Sequence, residues 1–228
     1  MTNLTTRELF NIQHVYLPAE IANMLAETNF CWEALPKIKS TLKQLIAKIP
    51  VDQRIQGSVA STAILKSDEI VVEKGAVVED LAYIDGPTYI AKDAVVRHGA
   101  YLRGGVYLGV NCIAGHTTEI KDSLLLANAK AAHFAYLGNS VLGCDVNLGA
   151  GTKLANLRLD HKNIVIKQGA QTIDTGLKKF GAIFGDKSQS GCNAVTNPGT
   201  IIMPESAIFP TKNASGIVSN HYGRVKPA

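Results

Sequence analysis

No stretch of this 228-residue chain approaches the ~18 consecutive apolar residues that a membrane-crossing helix needs. The start, "MTNLTTRELF", lacks a basic region followed by an apolar run, so no secretory signal is expected. No run of five like charges appears, and the net charge is only +4, which argues against a nucleic-acid partner. Such a mild positive field still suits ligands that carry phosphate. The four cysteines, Cys31, Cys112, Cys144 and Cys192, form neither a CxxC pair nor any other close metal-ligand spacing. They read as reduced thiols in a cytoplasmic protein. Aromatic residues make up only 6%, against 20 glycines. A narrow core of small and aliphatic side chains follows.

What is present is a period. Stepping by six from Val72 gives Val78, Ile84, Ile90, Val96, Leu102, Leu108, Ala114, Ile120 and Leu126, all aliphatic. Four residues after each of the first nine members of the series come mostly small residues: Ala76, Ala82, Thr88, Ala94, Ala100, Val106, Cys112, Thr118 and Leu124. A helix would repeat at 3.6 and a flat strand at 2. A period of six means a short strand, a corner and another strand. Three such sides close a coil of about 18 residues, and coils stack at the ~4.8 Å spacing of neighbouring strands. From Leu137 the steps are five to Leu142, then six to Leu148 and six to Leu154. The register stops over 155–181 and resumes at Phe184, Ser190, Thr196, Ile202 and Ile208. Residues 155–181 are therefore expected as a loop extruded from the coil, with a small hairpin around Gly169 in "NIVIKQGAQTIDTG". Such interruptions of a solenoid are favoured places for function.

The first fifty residues differ. Leu35, Ile38, Leu42, Leu45 and Ile49 recur at helical spacing, with Pro36 suited to a first turn and Pro50 as a stop. A helical segment, 1–52, is expected as a cap or arm on a β-helix domain, 53–228. Residues 51–71 would join the helices to the periodic stretch.

Ordered motifs then mark a resemblance: "YLRGG", "TEIKDS", "AAHFAYLG", "DVNLGAGT" and "AN". Together they resemble the glucosamine-1-phosphate N-acetyltransferase half of the bifunctional N-acetylglucosamine-1-phosphate uridyltransferases. "ANLRLDHK", "DTGLKKFGAIFGD" and "GCNAVTNPGT" are similar to a sugar-1-phosphate nucleotidyltransferase-like branch with the same β-helix. The resemblance covers roughly 72–210 and implies a left-handed parallel β-helix, mainly β, acting as a homotrimer with sites between neighbouring copies. It implies transfer of acetyl from acetyl-CoA to an amino-sugar 1-phosphate, with no metal required. Two departures stand out. No Gly-rich GxGTR-type phosphate loop appears in 1–71, so nucleotidyl transfer would need a separate nucleotidyltransferase partner. Leu157 stands where the bifunctional enzymes carry a Tyr.

Acetyl transfer to an amine needs a base, a donor for the oxyanion and a clamp for the sugar phosphate. His133 can titrate near neutral pH and matches the family's catalytic base. Asn156 and Asn147 are candidates to orient the amine and the acetyl carbonyl, although Asn also suits left-handed corners. Arg103 and Lys121 are 18 residues apart, one coil, and should stack as a phosphate clamp. Tyr136 matches a sugar contact, and Lys162 is a further candidate for phosphate or sugar. Gly149, Ala150 and Gly151 would let acetyl-CoA approach the backbone, or would only form tight corners. Cys192 stands where the family has a Ser near the cofactor. His98, His116 and His133, spaced by 18 and 17, allow a competing reading as a metal site of the γ-class carbonic anhydrase kind. A regulatory or scaffold trimer without turnover is the other alternative.

Overall fold

The computed structural model describes residues 4–14 and 16–220. Its frame is a left-handed parallel β-helix. Three eight-stranded parallel sheets form the three faces, and successive strands pass from one face to the next. The inward column of the first face runs Val78, Val96, Ala114, Ala131, Leu148, Ser190 and Ile208. That of the second face runs Ile84, Leu102, Ile120, Leu137, Leu154, Thr196 and Ala214. Apart from buried Ser190 and Thr196, these are aliphatic side chains that form one continuous buried core along the axis.

The six-residue reading needs one correction. Ile120 is followed inside the coil by Leu125, not Leu126, because Leu125 pairs with both Leu108 and Leu142. The small position is likewise Ser123, in register with Val106, rather than Leu124. So the five-residue step occurs twice, after Ile120 and after Leu137, both times at the corner between the second and third faces. Leu124 and Leu126 point outward into a second apolar cluster. Four adjacent apolar residues, Leu124–Ala127, hide the slip from a count of periods.

That second cluster explains the N-terminal segment. The outward residues of the third face are themselves apolar: Val71, Tyr89, Tyr107, Leu124, Val141, Ile183 and Ile201. The helices cover them. Helix α1 spans Thr6–Leu9, α2 Ala19–Ala26 and α3 Ile38–Ala47, and Leu9, Ile21, Leu25, Ile38, Leu42 and Ile46 are buried against that face. The helices thus form a lateral layer sharing a core with the β-helix, where a cap or arm was expected. The third helix enters through a 3-10 stretch, Cys31–Lys37, which contains Pro36. Glu33 fixes its start by accepting hydrogen bonds from the N–H groups of Asn29 (2.9 Å) and Phe30 (3.3 Å). Residues 51–71 do more than join: Ser58–Val59, Ile64–Leu65 and Ile70–Val72 are the first strands of the three faces.

The extruded segment holds the expected hairpin, with Val165–Gln168 antiparallel to Gln171–Asp174. It folds back on the molecule. Ile164, Ile166 and Phe180 are buried in the helix-facing cluster, and Phe180 lies 6.4 Å from Trp32. Among the described residues, no helix is long and apolar enough to cross a membrane.

Candidate functional site

The corner from first to second face gathers the chemistry. His98, His116 and His133 each precede it in successive coils, with His116 and His133 in direct register. The next residues, Thr117 and Phe134, turn the corner at φ 48° and 36°, while Gly99 and Gly151 turn it in the flanking coils. Left-handed backbone is unfavourable for a β-branched or bulky residue, and such strain gathers at functional sites. His133 is exposed, with its ring 6.4 Å from Phe134. His98 and His116 stack face to face at 5.6 Å, and the Nδ1 of His116 lies 3.1 Å from the carbonyl of His98. Among the described residues, no three His, Cys, Asp or Glu side chains converge as metal ligands.

The second face carries the rest. Its outward column runs Tyr83, Tyr101, Glu119, Tyr136 and Lys153. Arg103 and Lys121 follow two residues after Tyr101 and Glu119 in adjacent strands, so they do stack on one edge. Arg103 is already engaged: its Nη1 donates to Glu119 Oε1 at 2.8 Å, and its guanidinium lies 5.8 Å from the Tyr101 ring centre. That hydrogen bond raises the affinity of Arg103 for its proton. Lys121 has Asp122 at 3.5 Å.

Tyr136 and Asn156 form a unit. The Tyr136 hydroxyl donates to Asn156 Oδ1 at 3.4 Å, and Asn156 Nδ2 donates to Asn139 Oδ1 at 2.8 Å. The unit needs Gly138, because a Cβ there would lie 2.5 Å from Asn156 Nδ2 and 2.7 Å from the Tyr136 hydroxyl. Burial, then the Glu119 carboxylate, push the Tyr136 phenol upward, so it stays a neutral donor at physiological pH.

Other candidates are placed differently. Asn147 is exposed on the first face, between Lys130 and Gln189 in register. A Cβ on Gly149 would meet the backbone of Gly191 and Cys192 at 2.4 and 2.5 Å, so the next coil already requires that glycine. Gly151 lies at φ 74°, and its N–H donates to the carbonyl of His133 at 3.1 Å. Ala150 and exposed Cys192 continue the column of His133 along the corner. Lys162 lines a separate cleft of about 540 Å³ at the root of the hairpin, with Arg158, His161, Asn163 and Lys178.

Two site-lining residues escaped the motif reading: Glu119 and Lys153. Both were accessible from the sequence by stepping one 17-residue coil back and forward from Tyr136.

Residues 84–218 match the family described as the GMPPB C-terminal domain. That span holds His98, Arg103, His116, Lys121, His133, Tyr136 and Asn156. The chain belongs to this family. The relationship agrees with the hexapeptide-repeat acyltransferase resemblance of the motifs. A bifunctional protein GlmU of Methanococcus maripaludis is 36% identical over 177 residues, covering 78% of this chain and 41% of that protein. A bifunctional sugar-1-phosphate nucleotidylyltransferase/acetyltransferase of Sulfurisphaera tokodaii is 38% identical over 96 residues, 42% of this chain and 24% of that protein. A putative uncharacterized acetyltransferase, YaiX, of Escherichia coli is 31% identical over 96 residues, 42% of each chain. The chain thus spans less than half the length of these curated relatives.

Proposed function

We propose that this protein transfers acetyl from acetyl-CoA to the amine of an amino-sugar 1-phosphate, with glucosamine-1-phosphate as the acceptor, in nucleotide-sugar synthesis in the cytoplasm. One observation carries the reading. His133, Tyr136 with Asn156, and the Arg103–Lys121 pair occupy one corner and the face beside it within adjoining coils. The names of the relatives that share this domain support the same chemistry.

The roles follow from the placement. The sugar phosphate lies towards the earlier coils, with its phosphate on Arg103 and Lys121. There it displaces Glu119 from Arg103, and the guanidinium exchanges one anion for another. Tyr136, held by Asn156, donates to a sugar oxygen. His133 takes the proton from the amine as nitrogen attacks the thioester carbonyl. Acetyl-CoA lies towards the later coils, along Asn147, Gly149–Gly151 and Cys192. The reaction calls for no metal. The protein acts as a homotrimer, and the 155–181 loop brings Lys162 to a neighbouring copy's site. A separate nucleotidyltransferase would use the product.

The test is a panel of amino-sugar phosphates, each incubated with acetyl-CoA and the purified protein, with products identified by mass. The expected result is N-acetylglucosamine-1-phosphate, and loss of turnover in Arg103→Ala at subsaturating acceptor. Acetylation of none of the panel would remove the proposal. Stoichiometric zinc or iron in the active protein would favour the metal reading instead.

A further inference from the structure

We infer that Lys153 is a further catalytic residue, whose ammonium group holds the oxygen of the acetyl carbonyl during transfer. The inference rests on the acetyl-transfer reading above. An oxyanion forming at the carbonyl needs a donor that is not already in use. Asn156, the natural candidate, is partly engaged: its Oδ1 accepts from Tyr136 and one Nδ2 hydrogen goes to Asn139, which leaves a single N–H. Asn156 therefore positions Tyr136.

Lys153 stands in direct register with Tyr136, one coil further along the outward column of the second face. This is the donor side of the site, since the two phosphate-facing cations lie in the preceding coils. The Lys153 side chain turns back across the corner. Its Nζ donates to the carbonyl of Gly151 at 2.8 Å, and the N–H of Gly151 donates to the carbonyl of His133 at 3.1 Å. The ammonium group is thus anchored to the backbone of the coil that hydrogen-bonds the corner carrying the base. An ammonium has three donors, and the Gly151 carbonyl takes one. The residue is exposed, so an incoming carbonyl oxygen can reach the others.

The step balances without another reactant. The amine nitrogen bonds to the thioester carbon, and the carbonyl π pair moves onto the oxygen beside Lys153. His133 accepts the amine proton. The pair then returns, the carbon–sulfur bond breaks, and its electrons leave on the CoA sulfur, which takes the proton from His133. The products are the N-acetyl sugar phosphate and CoA thiol.

The test uses the full chain, acetyl-CoA carrying 13C at the carbonyl, and the variants Lys153→Met and Lys153→Arg. The bound carbonyl resonance should shift downfield in the unaltered protein, lose that shift in Lys153→Met and regain much of it in Lys153→Arg. Turnover in Lys153→Met should fall roughly 10²-fold with KM for the acceptor little changed. A lysine that merely clips the corner would alter the melting temperature and leave the resonance unmoved, and that result overturns the inference. If the resonance depends on Lys153 but no amino-sugar phosphate is acetylated, the acceptor assignment fails and the role of Lys153 stands. If acetyl-CoA does not bind, both fall.

Discussion

At the scale of the residue, the site depends on space as much as on donors and acceptors. Tyr136 and Asn156 can meet only because residue 138 has no side chain. Gly138→Ala is therefore expected to separate them and lower turnover about tenfold or more, since small misplacements are costly in rate. Steady-state kinetics beside a melting curve would check this, with activity predicted to fall more than stability. A second residue makes a contrasting case. Thr196 sits in the inward column between Leu154 and Ala214, fully buried, and its hydroxyl has no partner. Thr196→Val should stabilise the fold by about 1 kcal/mol by removing an unsatisfied polar atom; chemical denaturation measures it. His133, Arg103, Lys121, Tyr136 and Asn156 were all legible in the sequence because they lie inside ordered motifs. Glu119, although inside "TEIKDS", and Lys153 were not singled out, because outward positions follow no hydrophobic rule and only the register makes them neighbours of Tyr136. The partner of Arg103 could not be read at all, since it depends on two side chains meeting across coils.

At the scale of the element, corners and insertions decide what the period can carry. The corner from third to first face is lined by Asn111, Asn128 and Asp145, all near φ 60°. Their side chains form a ladder, Asn111 to Asn128 at 3.1 Å and Asn128 to Asp145 at 2.9 Å. Left-handed geometry and a short polar side chain serve the same turn here. The loop over 155–181 was visible as a lapse in the register, and its hairpin as an alternation around Gly169. That it folds back onto the helical layer was not visible, because Ile164, Ile166 and Phe180 belong to no local pattern. The same holds for the tie between the N-terminus and the coil. Asp186 accepts hydrogen bonds from the N–H groups of Asn11 and Cys144, both at 2.7 Å, and donates its own N–H to the Leu9 carbonyl. Asp186→Ala leaves two amides without their acceptor and should destabilise by about 1–3 kcal/mol. Hydrogen exchange should show the loss first in residues 9–11.

At the scale of the molecule, two cores share one sheet. The inner core of the β-helix was read almost whole from its period, apart from the five-residue step after Ile120, masked by neighbouring leucines. The outer core was not, because an apolar outward row on the third face looks in sequence like a longer strand core. Removing residues 1–50 would expose Val71, Tyr89, Tyr107 and Leu124 together. The shortened chain is expected to aggregate or to bind a hydrophobic dye, as contiguous exposed apolar patches do. The thiols report on the same packing. Burial pushes the Cys112 and Cys144 thiols up to about 12, and raises Cys31 as well, whereas Cys192 is exposed. The thiolate is the reactive form, so at pH 8 a disulfide reagent should titrate Cys192 alone in the folded protein and all four thiols after denaturation. The most direct test of the whole account is thiol release from acetyl-CoA in the presence of glucosamine-1-phosphate, compared between the unaltered protein and His133→Ala. The account predicts acceptor-dependent release that falls by about 10²-fold or more in His133→Ala. Equal release from both proteins, or none from the unaltered one, would contradict it.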